Sequence, residues 1–133
     1  MHTISGRAET RTISIAAPPS TVFDFVGDAR NLLKWAPGFA PNIATSGDEW
    51  VVDYGTEKLR LIVRTSRDAG TVDFLRAADP RTGGFSRVLP NGEGAEYQFT
   101  LVFPAGTPEA AVADQLKIID EELQTVRRFC EAA

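Results

Sequence analysis

A regular apolar seam near the C-terminus constrains this chain more than any other feature. Apolar residues recur in alternating steps of four and three over about six turns of a predicted helix: Val112, Leu116, Ile119, Leu123, Val126 and Cys130. The opposite side carries the polar residues Asp114, Lys117, Glu121, Gln124 and Arg128. The seam must be covered by the chain's own sheet or by the same helix of a second copy in a coiled coil. We favour the sheet, because a sheet with one apolar face needs a cover.

The start of this helix is predicted at Thr107-Pro108-Glu109. Threonine is a common N-cap residue, and proline is favoured at the first helical position. A carboxylate in the first turn is stabilised by the positive end of the helix. We therefore expect Thr107 to cap the helix and Pro108 to begin it.

Upstream of the helix, apolar and polar residues alternate with the period of two that is typical of half-buried strands. The longest run puts five apolar residues on one face: Ala95, Tyr97, Phe99, Leu101 and Phe103. Shorter runs cover residues 50–54, 59–64, 72–76 and 85–89, and turn-rich segments follow at 68–70, 79–84 and 90–94. These short strands and tight turns predict an antiparallel meander with one face toward a core and the other toward water.

The N-terminal part predicts a strand and two short helices. Residues 13–16 read as a strand, and Pro18-Pro19 breaks it before an amphipathic helix that carries Val22, Phe23, Phe25 and Val26. Gly27 ends that helix, and the Asp28 carboxylate can cap a second one that runs to Trp35. A loop follows at residues 36–41, because it is rich in proline and glycine.

Size and composition exclude several classes of protein. The 133 residues fit one domain, 1–133, and the net charge of -4 argues against binding to nucleic acid. No run approaches the ~20 apolar residues that span a bilayer. The single cysteine, Cys130, suits a reducing compartment, so we expect a cytoplasmic protein. Arginine outnumbers lysine and alanine is abundant, which hints at a bacterial source.

Two segments resemble the START-like (SRPBCC) superfamily, which includes polyketide cyclase-like, aromatase-like and birch-pollen-allergen-like proteins. They are ISIAAPPSTVFDFVGDARNLLKW at 13–35 and RVLPNGEGAEYQFTLVFPAGT at 87–107, the latter followed by a helix with Glu121-Glu122-Leu123. The resemblance implies an α+β helix-grip fold. In that fold a curved antiparallel sheet of six or seven strands, in the order β-α-α-β-β-β-β-β-β-α, wraps a long C-terminal helix around an apolar cavity. The short strands and loops argue against a cavity of steroid or lipid size.

The residues that usually carry enzyme chemistry are sparse. His2 is the only histidine and lies near a terminus, so no histidine pair is available for zinc and no base is placed beside a serine or cysteine nucleophile. Gly92-Glu93-Gly94 joins two predicted strands, which indicates a hairpin turn and not a nucleotide loop. We therefore assign no catalytic residue and no metal site, and we expect no cofactor.

Candidate ligand-binding residues follow from strand parity. Arg76 shares a face with Val72 and Phe74, and Arg87 shares one with Phe85 and Leu89. Either arginine could form a cationic pole for an anionic ligand, or it could extend past the strand end to water. Tyr54 and Tyr97 could offer phenols to a cavity lined by Leu59, Leu61, Phe74, Phe99, Leu116 and Ile119. Trp35, Phe39 and Trp50 mark either the cavity mouth, as in START-like proteins, or a plug at that end of the core.

Three functions remain open. The leading hypothesis is binding of a small hydrophobic molecule, aromatic, polyketide-like or isoprenoid-like, by a monomer or homodimer. The alternative is a cyclase-like, aromatase-like or dehydratase-like enzyme without a metal. The third is a protein-protein adaptor that uses the outer face of the sheet, although Arg60 and Arg64 make that face polar.

Overall fold

The computed structural model describes residues 2–133 and has the predicted α+β order. A 3₁₀ turn at Ala29–Asn31 lies between the first two helices. The elements are β1 (Arg7–Ile15), α1 (Pro19–Gly27), α2 (Leu32–Trp35), β2 (Ile43–Ser46), β3 (Glu49–Asp53), β4 (Lys58–Ser66), β5 (Thr71–Arg76), β6 (Asp79–Asn91), β7 (Gly94–Phe103) and α3 (Glu109–Ala132).

All seven of these strands form one antiparallel sheet in the order β1-β7-β6-β5-β4-β3-β2. The pairing of β1 with β7 runs from Arg7 opposite Phe103 to Ile15 opposite Ala95. This pairing brings the first strand beside the last one, so α3 starts at the same side of the sheet. Strands β2 to β7 form the predicted meander.

The apolar seam of α3 is buried by the chain itself. All six seam residues are buried, and the helix packs mainly against β1, α1 and α2. The prediction that the seam covers the chain's own sheet is confirmed. The coiled-coil alternative is wrong for this seam, because its apolar side chains have no surface left for a second helix.

Of the two predicted helix caps, one is confirmed and the other is wrong. Asp28 caps the 3₁₀ turn as predicted, because its Oδ1 accepts a hydrogen bond from Arg30 N at 3.1 Å. Thr107 does not cap α3. Its Oγ1 donates to Pro104 O at 2.6 Å, and Pro108 takes the N-cap position before Glu109.

The predicted turn at residues 79–84 is wrong, because this segment belongs to the long strand β6. The hairpin turns instead at Ala77-Ala78, beside a register shift between Leu75 and Arg76. Gly83 has a φ of 140°, and a Cβ there would lie 2.0 Å from Phe74 O. The glycine signal therefore marks a close approach of two strands and not a turn.

Candidate ligand-binding site

The inner face of the sheet gathers the apolar side chains that α3 and α2 cover. In the central strands the register places Val72 of β5, Ser86 of β6 and Phe99 of β7 in one row across the sheet. Val88 and Tyr97 form the next row. Apart from Phe99, which is half-buried, these side chains are buried.

Four aromatic rings meet on this face. Trp35 enters from α2, and its ring centroid lies edge-on at 5.9 Å from Phe74, 6.5 Å from Tyr97 and 6.4 Å from Phe99. Phe74 and Phe99 stack on each other at 6.3 Å. We call these four residues the aromatic cluster. Trp35 is only 3% exposed, so it fills the space beneath the helices.

The expected open cavity between sheet and helix is therefore occupied by side chains. The surface also has two open clefts. One, of about 270 Å³, lies between β1 and α3, and the other, of about 200 Å³, lies on the outer face of β5 to β7. The structure differs from the expectation because one large indole, supplied by a single-turn helix, reaches the middle of the inner face.

Most predicted site residues come together. Leu61 and Ile119 are buried in the same core as the aromatic cluster, and Phe39, Trp50 and Leu59 pack on it while partly exposed. The last three line the side of the inner face near β3 and β4. Trp35 thus lies in the core, whereas Phe39 and Trp50 lie at its edge.

Four predicted residues lie elsewhere. Arg87 is exposed on the outer face, because Ser86 and Val88 are the residues of β6 that point inward, and its Nε donates to Ala69 O at 3.3 Å. Arg76 is exposed at the end of β5. Both arginines therefore reach water. Tyr54 is 40% exposed; burial raises the pKa of its phenol, while the positive charge of Arg76 acts in the opposite direction. Leu116 is buried beside Arg7 and Arg11 in the cleft under α3.

Two polar atoms of the aromatic cluster are buried without a hydrogen-bond partner among residues 2–133. They are Trp35 Nε1 and Tyr97 Oη. The neighbouring Ser86 Oγ donates its hydrogen to Val72 O. Its lone pairs can still accept from the Tyr97 phenol, since hydrogen bonding by Ser86 acts on the pKa of Tyr97. Burial raises the pKa of Tyr97 strongly, so its phenol keeps its proton. Trp35 Nε1 is thus the buried donor of the cluster for which no acceptor is found among residues 2–133.

A partly buried carboxyl group lies on α3, next to the apolar seam. Glu122 of α3 is half-buried, and burial raises the pKa of its carboxyl group to about 7. Its charge also contributes to the raised pKa of Tyr97. Glu122 and Phe129 are seven residues apart and share one side of the helix. Since Phe129 stacks on Phe25 at 5.3 Å, this side faces α1 and α2.

A family model described as polyketide cyclase/dehydrase and lipid transport matches residues 8–128. The chain belongs to this family. Membership confirms the resemblance seen in the sequence, since the cyclase/lipid transport family is part of the SRPBCC group. That group is associated with binding of hydrophobic ligands or with polyketide cyclase activity.

Solved structures show the same fold at low sequence identity. XoxI from Bacillus cereus has a TM-score of 0.73 at 13% identity, over 92% of this chain and 94% of that one. The Aha1 dimer from Colwellia psychrerythraea has a TM-score of 0.71 at 15% identity, over 94% and 96%. DynU16, a protein in the dynemicin biosynthetic locus, has a TM-score of 0.66 at 17% identity, over 93% of this chain and 47% of that one. A search of curated proteins returned no match.

Within residues 2–133, no helix is long and apolar enough to cross a membrane. The same residues contain no group of three or more histidine, cysteine or acidic side chains arranged to hold a metal ion.

Sequence reasoning missed two polar residues that the structure buries wholly or in part, Ser86 and Glu122. Ser86 alternates with Phe85 and Arg87, so a correct parity for β6 would have found it. Glu122 lies three residues after Ile119 and four before Val126, at the edge of the apolar seam. Its position beside the seam was the available signal.

Proposed function

We propose that this domain binds a small hydrophobic molecule, aromatic or polyketide-like, at the aromatic cluster between the sheet and α3. The observation that carries the proposal is the buried indole Nε1 of Trp35, which has no hydrogen-bond partner among residues 2–133. Buried polar groups are nearly always hydrogen-bonded, because leaving one unpaired costs about 1–3 kcal/mol. A bound ligand can supply the missing partner. The proposal takes residues 1–133 as one cytoplasmic binding domain.

Entry is supported by the uneven cover of the inner face. Helix α3 packs mainly on β1, α1 and α2. At the other end of the same inner face, near β3 and β4, Phe39, Trp50 and Leu59 keep part of their apolar surface exposed. A hydrophobic molecule that lands on this strip reaches the aromatic cluster by displacing rings and not by breaking strand pairs.

Co-purification and thermal unfolding test the proposal. We expect native mass spectrometry of protein from its own host to show a bound small molecule. We also expect aromatic acids or quinones to raise the melting temperature, because a ligand at 100 times its Kd stabilises the folded state by about 2.7 kcal/mol. Arg87→Ala is the control variant. The Arg87 side chain lies on the outer face, so this variant should show the same thermal shift as the wild type. The absence of both a bound molecule and any thermal shift would contradict binding.

A cyclase-like activity is the second candidate, and Glu122 is the observation that favours it. A carboxyl group with a pKa of about 7 can give or take a proton near neutral pH, and its charge acts on the pKa of the Tyr97 phenol. We expect a Glu122→Gln variant to bind a polyketide mimic but to lose its turnover. Turnover by the variant at the rate of the wild type would exclude this role.

A further inference from the structure

A second stripe of side chains runs along α3 beside the buried seam. Each of its members precedes a seam residue by one position, which rotates the stripe by about 100° around the helix axis. Ile118 and Phe129 of this stripe remain 46% and 43% exposed, so the stripe is only partly covered. Its members are Ile118, Glu122, Thr125 and Phe129.

The carboxyl group of Glu122 lies in this stripe without a partner. Its side chain is half-buried, and among residues 2–133 it forms neither an ion pair nor a hydrogen bond. Neither of its oxygens is among the fully enclosed polar atoms that lack a partner, so both reach solvent. A partly dehydrated carboxylate is stabilised by a cation, and here a cation can approach it from outside the protein.

The charged side chains around this carboxyl group have other partners. On α3, Arg127 donates to Gln124 Oε1 at 2.6 Å and Arg128 donates to Thr125 Oγ1 at 3.1 Å. Burial raises the pKa of Glu122, and no neighbouring cation lowers it. The elements next to α3 carry a lysine over an aromatic ring and several ion pairs: Lys34 over Phe129, Arg7 with Glu9 and Glu109, Arg11 with Asp120, Arg30 with Asp28, and Arg67 with Asp24.

The uncovered apolar surface next to the carboxyl group is that of Ile118. Four residues separate Ile118 from Glu122, which is a rise of about 6 Å along the helix. At the other end of the stripe, the Lys34 ammonium lies 6.0 Å from the centre of the Phe129 ring and repels a second cation. A ligand whose cation meets Glu122 therefore extends its apolar part toward Ile118.

We propose that Glu122 and Ile118 form a binding site for a small hydrophobic amine. The ammonium group of the amine pairs with the Glu122 carboxylate, and its apolar body covers Ile118. This site lies on the partly exposed side of α3 and uses no residue of the aromatic cluster. It is therefore independent of the ligand proposed for that cluster.

Three probes of similar size test the requirement for a positive charge. They are 2-phenylethylamine, 2-phenylethanol and 3-phenylpropionate, which are cationic, neutral and anionic at pH 8. NMR titrations follow the methyl signals of Ile118 and the carboxyl carbon of Glu122. We expect the amine to bind about five- to tenfold more tightly than the alcohol, because hydrogen bonds to charged groups are the stronger ones. The propionate should move neither signal.

Protons should compete with the amine for Glu122. With a pKa of about 7, this carboxyl is mostly ionised at pH 8 and mostly protonated at pH 6. Tyr97 and Cys130 stay protonated at both pH values, because burial raises the pKa of each, and an alkylamine stays cationic. The affinity for the amine should therefore fall about tenfold from pH 8 to pH 6. Saturation with the amine should lower the pKa of Glu122 in the same spectra.

Variants separate this site from other surface carboxylates and apolar residues. Glu122→Gln should reduce the affinity for the amine to that for the alcohol. Glu121→Gln removes the exposed neighbouring carboxyl and should leave the affinity unchanged. Ile118→Ala should weaken binding of both probes, whereas Val102→Ala, at an exposed apolar position of β7, should weaken neither. The Glu122 signal in the unaltered protein reports on the ion pair even if a variant does not fold.

The outcomes distinguish this inference from the proposed function. Equal affinity for amine and alcohol, or an unmoved Glu122 pKa in the amine complex, would overturn the amine site. Equal losses in Glu121→Gln and Glu122→Gln would do so too, because the amine would then pair with any surface carboxylate. Each of these results leaves binding at the aromatic cluster standing. Probes that shift the signals of Trp35 and leave those of Ile118 in place would support the cluster and overturn the amine site.

Discussion

At the scale of single residues, Glu122 shows how burial changes the chemistry of an ordinary side chain. It lies beside the apolar seam of α3 and forms no ion pair within residues 2–133. Burial penalises its charged form, which raises the pKa of the carboxyl from 4.5 to about 7. Its folded form therefore holds a proton over a pH range in which the unfolded chain has released it.

Glu122→Gln should remove the pH dependence of stability that the raised pKa of Glu122 causes. Between pH 4.5 and about 7 the folded protein binds more protons than the unfolded chain at this site, so stability falls as pH rises through that window. At pH 8 we expect the variant to be more stable than the wild type by about 1–2 kcal/mol, after allowance for partial solvent screening. Urea unfolding of both proteins at pH 5 and pH 8 measures this difference in the free energy of unfolding. Glu121→Gln, at an exposed position, is the control, and parallel pH curves for wild type and Glu122→Gln would refute the account.

At the scale of elements, two contacts hold the inner face in place. The seam of α3 covers the β1 side of the sheet and the backs of α1 and α2. The β5–β6 hairpin brings Gly83 against the backbone of Phe74, which lets Gly84 accept the Phe99 ring. One contact depends on large apolar side chains and the other on the absence of a side chain.

Leu123→Ala tests the helix contact. Leu123 is 2% exposed and belongs to the main core. We expect the free energy of unfolding to fall by about 2–5 kcal/mol, because the substitution removes buried surface and leaves a cavity. Gln124→Ala, at the neighbouring exposed position, should change it by less than about 0.5 kcal/mol. Equal effects of the two substitutions in chemical denaturation would show that the seam is not packed as described.

Gly83→Ala tests the hairpin contact. A Cβ at this position would meet Phe74 O at 2.0 Å, and the φ of 140° is itself unfavourable for alanine. Gly47 has a φ of 65° with nothing near its Cβ position, so Gly47→Ala measures the cost of backbone conformation alone. That cost is about 1–2 kcal/mol. We expect Gly83→Ala to destabilise the protein clearly more than Gly47→Ala does, as measured by thermal unfolding. A loss of stability no larger than that of Gly47→Ala would mean that β5 and β6 are not so close.

At the scale of the whole molecule, charge lies on the surface and contributes little to the fold. Every arginine in an ion pair keeps at least 38% of its side chain exposed. On the outer face, Arg60 pairs with Glu49 and Arg64 with Asp73. An adaptor surface there would have to compete with these pairs, which does not favour that function.

Salt should therefore have a small effect on stability. Exposed ion pairs are each worth about 0–1 kcal/mol, and the Debye length falls steeply with added salt. Raising sodium chloride from about 0.05 M to about 0.5 M should change the free energy of unfolding by less than about 1 kcal/mol. Urea titrations at the two salt concentrations measure this. A loss of several kcal/mol would reveal a charge network that the structure does not show.

Local sequence patterns determined the seam of α3, the inward face of β7 and, apart from β2, the order of the elements. Each follows from the geometry of one helix or strand, which repeats at 3.6 or two residues whatever surrounds it. The Asp28 cap was predictable for the same reason, since it involves neighbours in the chain. The short strand β2, by contrast, gave no clear signal in four residues.

Only the tertiary structure decided which face of β6 points inward and what fills the core. Parity groups Phe85 with Arg87 but does not choose a side; pairing with β5 and β7 chose Ser86 and Val88. The position of Trp35 was also left open by the sequence, which predicted either the mouth of a cavity or a plug at that end of the core. In the structure Trp35 packs among rings from β5 and β7. Strand register, ring packing and the burial of Glu122 depend on partners distant in the chain, and a local pattern contains no information about them.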